Sequence, residues 1–546
     1  MRRLGLPLLI LVLATVLRLH ALGVDTRFHP DEALFATFAR QAAVNGDWML
    51  RGPLDKPPLT IYAGALSMMF TGVTTLPDGV LTLDVHRGEF AARLPGTFAS
   101  IILAAVMYAA ARRLYPGAGD FLPLGALLLT ALSPYAIAFS ATAFTDGLML
   151  LVITLALWQG AAERWGWGAV WLALGFGCKQ QALLYIPLVL LVLVSRPSMR
   201  HAVRWLRFAI PLLVGLGLLF AWDAGRGQET SLWELAAANN DPGRLAHLDE
   251  LLPRLGVWLG YSAVLAGTPP VTALLAALGL GVALWRIISE FRRGSSEDTV
   301  GPARSPTDRS ALHTHTDAIL LLYILAYGLL HWLVAFSQHD RYLLPLLPPI
   351  LLLMARGLAW FVNALPGLFL SVAGGIRPSA ATRQFIVFGL PLLAFLLVPA
   401  WDASEGRVPV GGDRGAHAGI DVLAEYLNAK PLATVIYDHW LGWELGYYMG
   451  AWSNKRRVYY PTPEALVHDA RNLPEREPRY FPTPADAPVT PWLAALRTAG
   501  FEVRVDTRIA GYTVYVLIPP VASAESVSGA GSSWPGRLIP SGGWPG

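Results

Sequence analysis

Two neighbouring acids, Asp31 and Glu32, lie in the segment HPDEALFATFAR, directly after the first long apolar stretch of the chain. Pro30 suits the first position of a helix, and the backbone N–H groups and dipole of a first helical turn favour anions. Successive residues on a helix point about 100° apart, so the two carboxylates cannot both face one reacting atom. We expect one acid to act on a substrate while the other supports it. The competing interpretation is that both merely cap a helix.

A lysine stands before a pair of prolines in LDKPPL, residues 54–59. Each proline biases the residue before it to extended geometry, so Lys56 lies on a stiff backbone that loses little entropy when the side chain holds a ligand. The chain contains only four lysines, at positions 56, 179, 430 and 455, and otherwise uses arginine. Lys56, next to Asp55, is therefore a candidate for binding an anion, although an ordinary loop lysine is the alternative.

Further ionisable side chains stand at the ends of apolar stretches. Asp146 opens one stretch in FTDG, Lys179 follows another, and the segment SQHDRY contains His339, Arg341 and Tyr342. Each has a plain structural explanation: a helix cap, a lysine that reaches from the membrane towards water, and a polar turn. Ionisable groups close to membrane depth are, however, usually functional, and we expect these residues to bind substrate.

The elements that must position these residues are membrane helices. Of the 546 residues, 54% are hydrophobic and 15% are charged, and the mean hydropathy is +0.45, values far from those of soluble domains. Residues 4–22 contain one charge, Arg18, and would form a helix of roughly 28 Å, about the thickness of a bilayer core. We expect this helix to be retained, and not cleaved as a signal peptide.

Further apolar stretches bring the expected number of transmembrane helices to eleven, within a range of 11 to 13. They lie at approximately residues 91–111, 121–139, 144–162, 166–178, 182–195, 206–222, 258–289, 317–337, 342–362 and 384–401. Short cytoplasmic loops collect positive charge, and these arginines all fall on one side: Arg2, Arg3, Arg112, Arg113, Arg164, Arg196, Arg200, Arg204, Arg207, Arg286, Arg292, Arg293, Arg377 and Arg383. The sequence therefore predicts a multi-pass protein of the plasma (inner) membrane with a cytoplasmic N-terminus.

The first outer loop is predicted to extend from about residue 23 to 90, and such a long loop is usually functional. Apolar residues recur at helical spacing within residues 29–44, which predicts an amphipathic helix along the membrane surface. The stretch 59–75 is also apolar, but as a span it would reverse the arginine pattern, so we expect it at the interface. On the inner side, residues 291–316 predict a disordered loop whose two histidines, at 313 and 315, are too few to close a metal site.

After Trp401 the sequence acquires the character of a soluble domain, residues 402–520, predicted to be a small α/β domain on the outer side. Helices are predicted near residues 417–428 and 487–499, and strands at ATVIYD, RVYYP, FEVRVDTR and YTVYVLI. Residues 521–546 are of low complexity and are predicted to be disordered. The single cysteine, Cys178, excludes an internal disulfide bond and a cysteine metal cage.

The order of these motifs resembles that of one enzyme superfamily. An acid pair in the first outer loop, then DKPPL, then RLP at residues 93–95 is similar to the GT-C glycosyltransferases of the protein O-mannosyltransferase and lipid A aminoarabinose transferase type. Weaker matches are TD at residues 145–146, Lys179, and RYLLPLLP from Arg341. The resemblance covers roughly residues 1–400, and the C-terminal domain has no motif that we can match.

The resemblance implies a GT-C fold in residues 1–401 and transfer of a sugar from a polyprenyl-phosphate carrier to an acceptor hydroxyl on the outer face, with inversion. By position, Asp31 matches the catalytic base of the family. Lys56 would hold the phosphate, with Lys179 and Arg341 as further contacts, and Glu32 and Asp55 would orient the cations or the acceptor. The residues expected to bind substrate are Glu32, Asp55, Lys56, Asp146, Lys179, His339, Arg341 and Tyr342.

The chemistry suits these residue types. A glycosyl phosphate already has a stable leaving group, so cations that meet the phosphate charge are needed more than a strong acid. We expect no metal and no other cofactor, although an acid pair could recruit a divalent cation. The expected partners are a polyprenyl-phosphate sugar donor, a lipid, glycan or protein acceptor, and the lipid bilayer, with no nucleic acid.

A polytopic transporter or lipid flippase is the alternative function. Such proteins place ionisable groups near the midplane of the membrane and often have matching halves. In this sequence the charges cluster at the outer ends of the predicted helices, and no internal repeat is visible. The sequence therefore favours the enzyme, but it names neither the sugar nor the acceptor.

Overall fold

The computed structural model describes residues 5–196, 202–296, 309–364, 383–473 and 477–520. The chain divides into two compact units. The first consists of Met1–Val24, Asp47–Ser67 and Phe90–Gly412, and the second of Asp25–Gly46, Met68–Glu89 and Asp413–Gly546. The first outer loop is thus divided between the two units. The predicted disordered tail, residues 521–546, lies outside the described residues.

Helices make up nearly all of the regular secondary structure in the described residues of the first unit. Its α-helices are Gly5–Leu22, Phe121–Leu132, Pro134–Ala138, Asp146–Ala161, Trp165–Cys178, Ile186–Val194, Ala202–Gly225, Leu232–Asn240, Leu248–Ser262, Pro269–Ser296, Arg309–Leu333, Leu347–Ala364 and Leu390–Ser404. Two 3₁₀ helices, Gln180–Tyr185 and Asp340–Leu346, and a π-helical turn, Phe385–Gly389, complete it. The Leu59–Thr71 and Val85–Leu114 helices have residues in both units.

Within the described residues, seven helices are long and apolar enough to cross a membrane. They are Gly5–Leu22, Val85–Leu114, Val203–Gly225, Pro269–Arg292, Ser310–Leu333, Asp340–Ala364 and Phe385–Ser404. Four shorter apolar helices accompany them: Leu59–Thr71, Phe121–Leu132, Asp146–Ala161 and Gln180–Val194. The prediction of a polytopic α-helical membrane protein is confirmed.

Two of the predicted spans are divided in the structure. The stretch 121–139 breaks at Ser133, whose hydroxyl caps the next helix by accepting from Ala136 N at 3.1 Å and donates to Leu265 O at 2.6 Å. The stretch 258–289 breaks before Pro269, because proline suits the start of a helix but not its interior. Hydropathy alone does not report such breaks, since the residues on either side are equally apolar.

The arginine in the first helix is fully buried. Arg18 Nε donates to Ser100 Oγ at 2.8 Å, Nη1 donates to Ala131 O at 2.9 Å and Nη2 to Thr130 O at 2.9 Å. These two carbonyls belong to the last turn of the Phe121–Leu132 helix, where carbonyl groups have no partner within their own helix. The guanidinium therefore joins the first helix to a helix more than one hundred residues later.

Backbone contact joins the Pro269–Ser296 and Leu347–Ala364 helices at a pair of glycines. A Cβ atom added at Gly357 would lie 2.6 Å from Gly279 N, and one added at Gly279 would lie 2.6 Å from Leu353 O. Both distances are far below van der Waals contact with backbone that cannot swing aside. Glycine at both positions therefore allows this close crossing of the two helices.

The inner loop is shorter than its composition predicted. The flanking helices continue to Ser296 and begin again at Arg309, so the disorder prediction for residues 291–316 is wrong at both ends. Side chains stabilise the second helix: His313 Nε2 lies 3.1 Å from Pro116 O, and Thr316 Oγ1 donates to Leu312 O at 2.9 Å. Residues 297–308 lie outside the described part of the chain.

The second unit contains a five-stranded mixed sheet. Its strands are Val435–Asp438, Arg456–Tyr459, Arg479–Pro484, Glu502–Ile509 and Tyr512–Ile518, and its helices are Pro30–Asn45, Ile420–Asn428, Gly442–Tyr448, Pro463–Asn472 and Thr490–Thr498. The first three strands run parallel in the order second, first, third, and the last two form an antiparallel hairpin beside the third. A short hairpin, Val73–Thr75 with Leu81–Leu83, is separate from this sheet. The predicted α/β character of the C-terminal region is confirmed.

The central strand Arg479–Pro484 was missed by sequence inspection. It contains Pro482 and Pro484, and proline lowers the expectation of a strand because it cannot donate to the ladder. The strand begins at the buried Arg479, which donates to Tyr437 Oη at 2.9 Å and to Ala470 O at 2.6 Å. These contacts depend on tertiary packing and have no local signature.

The helix Pro30–Asn45 differs from the amphipathic surface helix that we predicted. It begins at Pro30 as expected, but almost every residue from Glu32 to Val44 is buried, on all sides of the helix. The buried residues include Arg40, whose Nη2 donates to Gly446 O at 2.9 Å. The expectation of a single buried face was wrong, and within its own unit the helix packs against both the Gly442–Tyr448 helix and the Leu81–Leu83 strand.

Candidate active site

The centre of the candidate site in the first unit is a buried ion pair. Lys179 follows the last residue of the Trp165–Cys178 helix, and Asp146 is the first residue of the Asp146–Ala161 helix. Lys179 Nζ lies 2.7 Å from Asp146 Oδ1, with 5% and 2% of the two side chains exposed. A cation at a helix C-terminus and an acid at an N-terminus both suit the helix dipoles. The two residues that sequence reasoning selected separately are therefore partners.

The DKPPL segment contributes a second ion pair. Lys56 Nζ lies 2.5 Å from Asp55 Oδ2, and the two side chains are 14% and 12% exposed. Gln180 Nε2 donates to Asp55 O at 2.6 Å, and Asn239 Nδ2 donates to Asp55 Oδ2 at 3.3 Å. Since Gln180 is the residue after Lys179, these bonds attach the second ion pair to the first.

The SQHDRY segment completes the group. Lys179 Nζ lies 5.3 Å from the centre of the Tyr342 ring, and Arg341 Cζ lies 5.0 Å from the centre of the Phe144 ring. The Tyr342 hydroxyl donates to Asn240 Oδ1 at 3.4 Å. Arg341 Cζ also lies 5.9 Å from the centre of the Tyr342 ring. We call Lys56, Lys179 and Arg341 the cation cluster.

Two neighbouring residues hold this segment in place. The Asp340 carboxylate accepts from Arg341 N at 2.7 Å and from Gly411 N at 2.9 Å. The predicted binding residue His339 packs its ring edge-on against Tyr342, with 5.3 Å between ring centres. His339 thus contacts Tyr342, another residue of the candidate site. Its role in substrate binding stays a prediction.

The acids Asp31 and Glu32 belong to the second unit, where they begin a helix. His29 Nδ1 accepts from Asp31 N at 3.2 Å, and Glu32 Oε2 accepts from His29 N at 3.1 Å. This is a reciprocal capping box. Glu32 is fully buried, whereas Asp31 is partly exposed. Glu32 therefore caps the helix, as the competing interpretation expected. The Asp31 carboxylate is the more accessible of the two.

Aromatic and charged side chains of the second unit hold the residues just before this helix. Tyr448 Oη accepts from Phe28 N at 2.6 Å and donates to the buried Glu89 carboxylate. Arg27 Nη1 lies 3.0 Å from Glu89 Oε2. Phe28 also packs edge-on against Tyr447, with ring centres 4.7 Å apart. The backbone before Asp31 is thus fixed by side chains from the C-terminal part of the sequence.

Comparisons with known proteins find similar sequences. Residues 79–222 match the family described as Dolichyl-phosphate-mannose-protein mannosyltransferase. The chain is 24% identical over 420 residues to the undecaprenyl phosphate-alpha-4-amino-4-deoxy-L-arabinose arabinosyl transferase of Pectobacterium carotovorum subsp. carotovorum (strain PC1), which covers 74% of this chain and 68% of that protein.

Solved structures show the same fold. Crystal structures of ArnT from Cupriavidus metallidurans, in the apo state and bound to undecaprenyl phosphate, have a TM-score of 0.59 and 15% sequence identity to this chain. The matches cover 94% of this chain and 98% of each ArnT chain. The chain is a membrane glycosyltransferase of the GT-C fold. The recognition made from the motifs is confirmed, and the transporter alternative has no support in these comparisons.

Sequence reasoning missed an anchor of the DKPPL loop in this glycosyltransferase. Arg226 is almost fully buried and donates to Leu50 O at 2.8 Å and to Gly52 O at 2.7 Å, while its Nη1 lies 3.2 Å from Asp223 Oδ1. Asp223 also accepts from Leu232 N at 3.0 Å. The only signal in the sequence was an acid and an arginine three residues apart at the end of an apolar stretch, which could equally form a surface pair.

One group of side chains in the glycosyltransferase has the ligand types for a metal ion. Asp25, His86 and Glu89 offer ligand atoms within 4.8 Å of one another. Arg27 bonds to Asp25, lies 3.0 Å from Glu89 and contacts His86. The guanidinium thus already supplies positive charge to these acids, and the arrangement suits an arginine-centred ion-pair network better than a divalent cation.

Proposed function

We propose that this glycosyltransferase transfers a sugar from a polyprenyl-phosphate donor to an acceptor hydroxyl, at the membrane face opposite the arginine-rich loops. The observation that carries the proposal is the cation cluster, in which three cations come from separate parts of the sequence. Lys179 and Arg341 both lie against the Tyr342 ring, and Gln180, the residue after Lys179, donates to the backbone of Asp55 beside Lys56. The names of the matched family and the curated relative both contain a polyprenyl-type phosphate. If this chain also uses a phosphate-linked sugar donor, it needs a binding site for the phosphate group. The cation cluster could form that site.

The cation cluster would stabilise the leaving group. When the bond between the anomeric carbon and the phosphate oxygen breaks, its electron pair stays with the phosphate, and the growing negative charge is met by Lys56, Lys179 and Arg341. Arginine can grip phosphate with two parallel hydrogen bonds, whereas lysine acts as a point charge. Asp55 and Asp146 hold the lysines in position before the donor binds. His339 and Tyr342 are proposed to contact the donor beside them.

Asp31 is the proposed general base, as its position in the family motif implies. The acceptor oxygen forms the new bond to the anomeric carbon and its proton passes to the Asp31 carboxylate, with inversion as the expected outcome. Glu32 would support Asp31 through the cap that fixes the start of the helix. The acceptor is proposed to be a lipid, a glycan or a protein.

We further propose that no metal takes part, since cations of the chain itself supply the charge that the phosphate needs. The proposed location is the plasma (inner) membrane, with the N-terminus in the cytoplasm and the C-terminal α/β region outside. This orientation follows from the arginine distribution in the sequence.

Reconstitution tests the proposed reaction. Wild-type protein in liposomes with a polyprenyl-phosphate sugar and an extract of acceptor lipids is expected to release polyprenyl phosphate, measured by chromatography. Asp31→Asn should lower the initial rate by about 10²- to 10⁴-fold, the usual contribution of a general base. The matched control is Asp486→Asn, an exposed acid of the same unit.

The results separate the two parts of the proposal. Equal rates for wild type and Asp31→Asn would reject the assigned base, while leaving the transferase reaction in place. No donor consumption by the wild type with any polyprenyl-phosphate sugar would reject the donor class. Full activity after treatment with a chelator is expected, and loss of activity that returns with a divalent cation would reject the metal-free mechanism.

Cysteine labelling tests the orientation. The native Cys178 is buried, so a membrane-impermeant maleimide should report mainly on introduced cysteines. In intact cells we expect labelling of Asp486→Cys and none of Arg112→Cys until the membrane is opened. The reverse result would overturn the orientation.

A further inference from the structure

A charged cavity lies at the ends of two membrane helices, on the side that we predict to be cytoplasmic. It has a volume of about 560 Å³ and lies between the start of the Trp165–Cys178 helix and the first turns of the Ala202–Gly225 helix. Arg164, Arg204 and Arg207 line it together with a single acid, Glu163. The lining therefore carries more positive than negative charge. No step of the proposed sugar transfer uses these residues.

Backbone groups add to the positive character of this cavity. Trp165, Gly166 and Trp167 are the first residues of a fourteen-residue helix and belong to the lining. The first N–H groups of a helix have no partner within it, and together with the dipole they form an anion site. Within the part of the chain that the structure describes, Arg204 Nη1 is buried without a hydrogen-bond partner. The cavity thus combines backbone and side-chain donors.

The surroundings of the cavity are those of a membrane interface. Trp167 is 58% exposed, and Trp205 packs edge-on against the buried Trp165, with 5.3 Å between ring centres. Tryptophan is enriched where the headgroups meet the acyl chains. The neighbouring Val203–Gly225 helix has only 11% of its most apolar eighteen-residue segment buried inside the protein. Most of its apolar surface is therefore available to lipid. A ligand here would have an anionic head and an apolar body.

We propose that this cavity binds the phosphate headgroup of an anionic phospholipid. The three guanidinium groups and the helix N-terminus would hold the phosphate, and Trp167 and the exposed side of the Val203–Gly225 helix would lie along the acyl chains. Basic pockets between membrane helices on the cytoplasmic side are a known mode of recognition for such headgroups. The site is distinct in residues from the cation cluster and goes beyond the proposed sugar transfer.

Thermal unfolding of the delipidated, detergent-purified protein tests the proposal. Phosphatidylglycerol is expected to raise the unfolding temperature of the wild type by several degrees, and neutral phosphatidylcholine should not. The double variant Arg204→Gln/Arg207→Gln should lose more than half of this rise. The matched control is Arg112→Gln/Arg113→Gln, which removes two exposed arginines from the same predicted side and should keep the full rise.

The outcomes show whether the ligand is a lipid or a soluble phosphate, and whether it binds in this cavity or elsewhere. An equal rise in the wild type and in the Arg204/Arg207 variant would overturn the assignment of the cavity. A rise of the same size with inorganic phosphate alone would show a soluble anion as the ligand and overturn the lipid assignment. If the double variant does not fold, Arg207→Gln alone serves, because its side chain is exposed. Native mass spectrometry of that variant should then show less retained phosphatidylglycerol than the wild type.

Discussion

The two units use carboxylates in opposite ways. In the first unit, Asp55 and Asp146 each neutralise a lysine at the end of a helix or a stiff loop. In the second unit, Glu32 accepts from the backbone N–H of His29 at the start of its own helix, and Asp31 beside it is partly exposed. We propose that this difference separates two roles, charge stabilisation in the first unit and proton transfer at Asp31.

The largest effect is expected when the buried Lys179 is removed from the first unit. Lys179→Met leaves Asp146 buried without its partner, which should lower the free energy of unfolding by about 3–5 kcal/mol. The double variant Lys179→Met/Asp146→Leu should recover most of this stability, measured by unfolding in detergent, because no charge remains buried. Its sugar transfer should nevertheless stay low. Recovered activity in the double variant would mean that the pair is purely structural.

A more exposed member of the cation cluster should affect binding more than stability. Lys56→Met is expected to raise the KM for the polyprenyl-phosphate donor by about 10- to 100-fold, since a hydrogen bond to a charged group contributes about 1.5–3 kcal/mol. Steady-state kinetics with varied donor concentration measures this. Lys455→Met is the control, because Lys455 is a partly exposed lysine of the second unit. An unchanged KM would remove Lys56 from the phosphate site.

The second unit offers a subtler test of how the segment before Asp31 is positioned. Tyr448→Phe removes the hydroxyl that accepts from Phe28 N and donates to Glu89. A buried group left without its partner costs about 1–3 kcal/mol, and we expect kcat to fall by about three- to tenfold. Tyr447→Phe removes a similar bond, to Val85 O at 2.9 Å, but leaves Phe28 N bonded. Equal kcat values for the two variants would show that Tyr448 acts only on stability.

The smallest expected effect is a pH dependence of the second unit. Burial alone would lower the pKa of His417, but its contacts with Asp413 and with Glu444, 2.9 Å from Nε2, raise that pKa to about 10. The ordinary value is about 6.5, so above it the folded protein holds a proton that the unfolded chain has lost. Stability should therefore fall by about 1 kcal/mol from pH 7 to pH 8.

Thermal unfolding at both pH values measures the effect on the second unit. His417→Gln should remove the loss between pH 7 and pH 8, and the exposed His468→Gln should keep it. A slope of the same size in His417→Gln would assign the pH dependence to another group.

Sequence reasoning predicted most of the helices and strands and selected the separate residues of the candidate site, but it did not predict which of these residues are partners. The apolar stretches predicted most membrane helices because hydrophobic length is a local property. Asp146 and Lys179 were each selected, yet their ion pair joins residues 33 positions apart and depends on how two helices pack. No local pattern distinguished three of these partners, Gln180, Asn239 and Arg226. In a sequence, a buried polar residue cannot be told from an exposed one.

The second unit also shows that tertiary contacts cannot be predicted from local sequence. The segment 29–44 has apolar residues at helical spacing, and the helix exists, but spacing cannot reveal that its polar side is covered as well. Arg40 is buried there because backbone carbonyls of the Gly442–Tyr448 region accept from its guanidinium. From the sequence alone, such an arginine would be predicted to be exposed. Only the partner, some four hundred residues later, reverses that expectation.

The buried Arg18 has a consequence for the order of events during synthesis. The acceptors of its guanidinium include carbonyls of Thr130 and Ala131, which reach the ribosome exit long after the first helix has entered the membrane. An arginine within an apolar helix costs about 2.5–3.5 kcal/mol at the centre of the bilayer when it inserts alone. We expect the nascent first helix to stay shifted, with Arg18 reaching towards a headgroup region. It would settle at its final depth only when the Phe121–Leu132 helix arrives beside it.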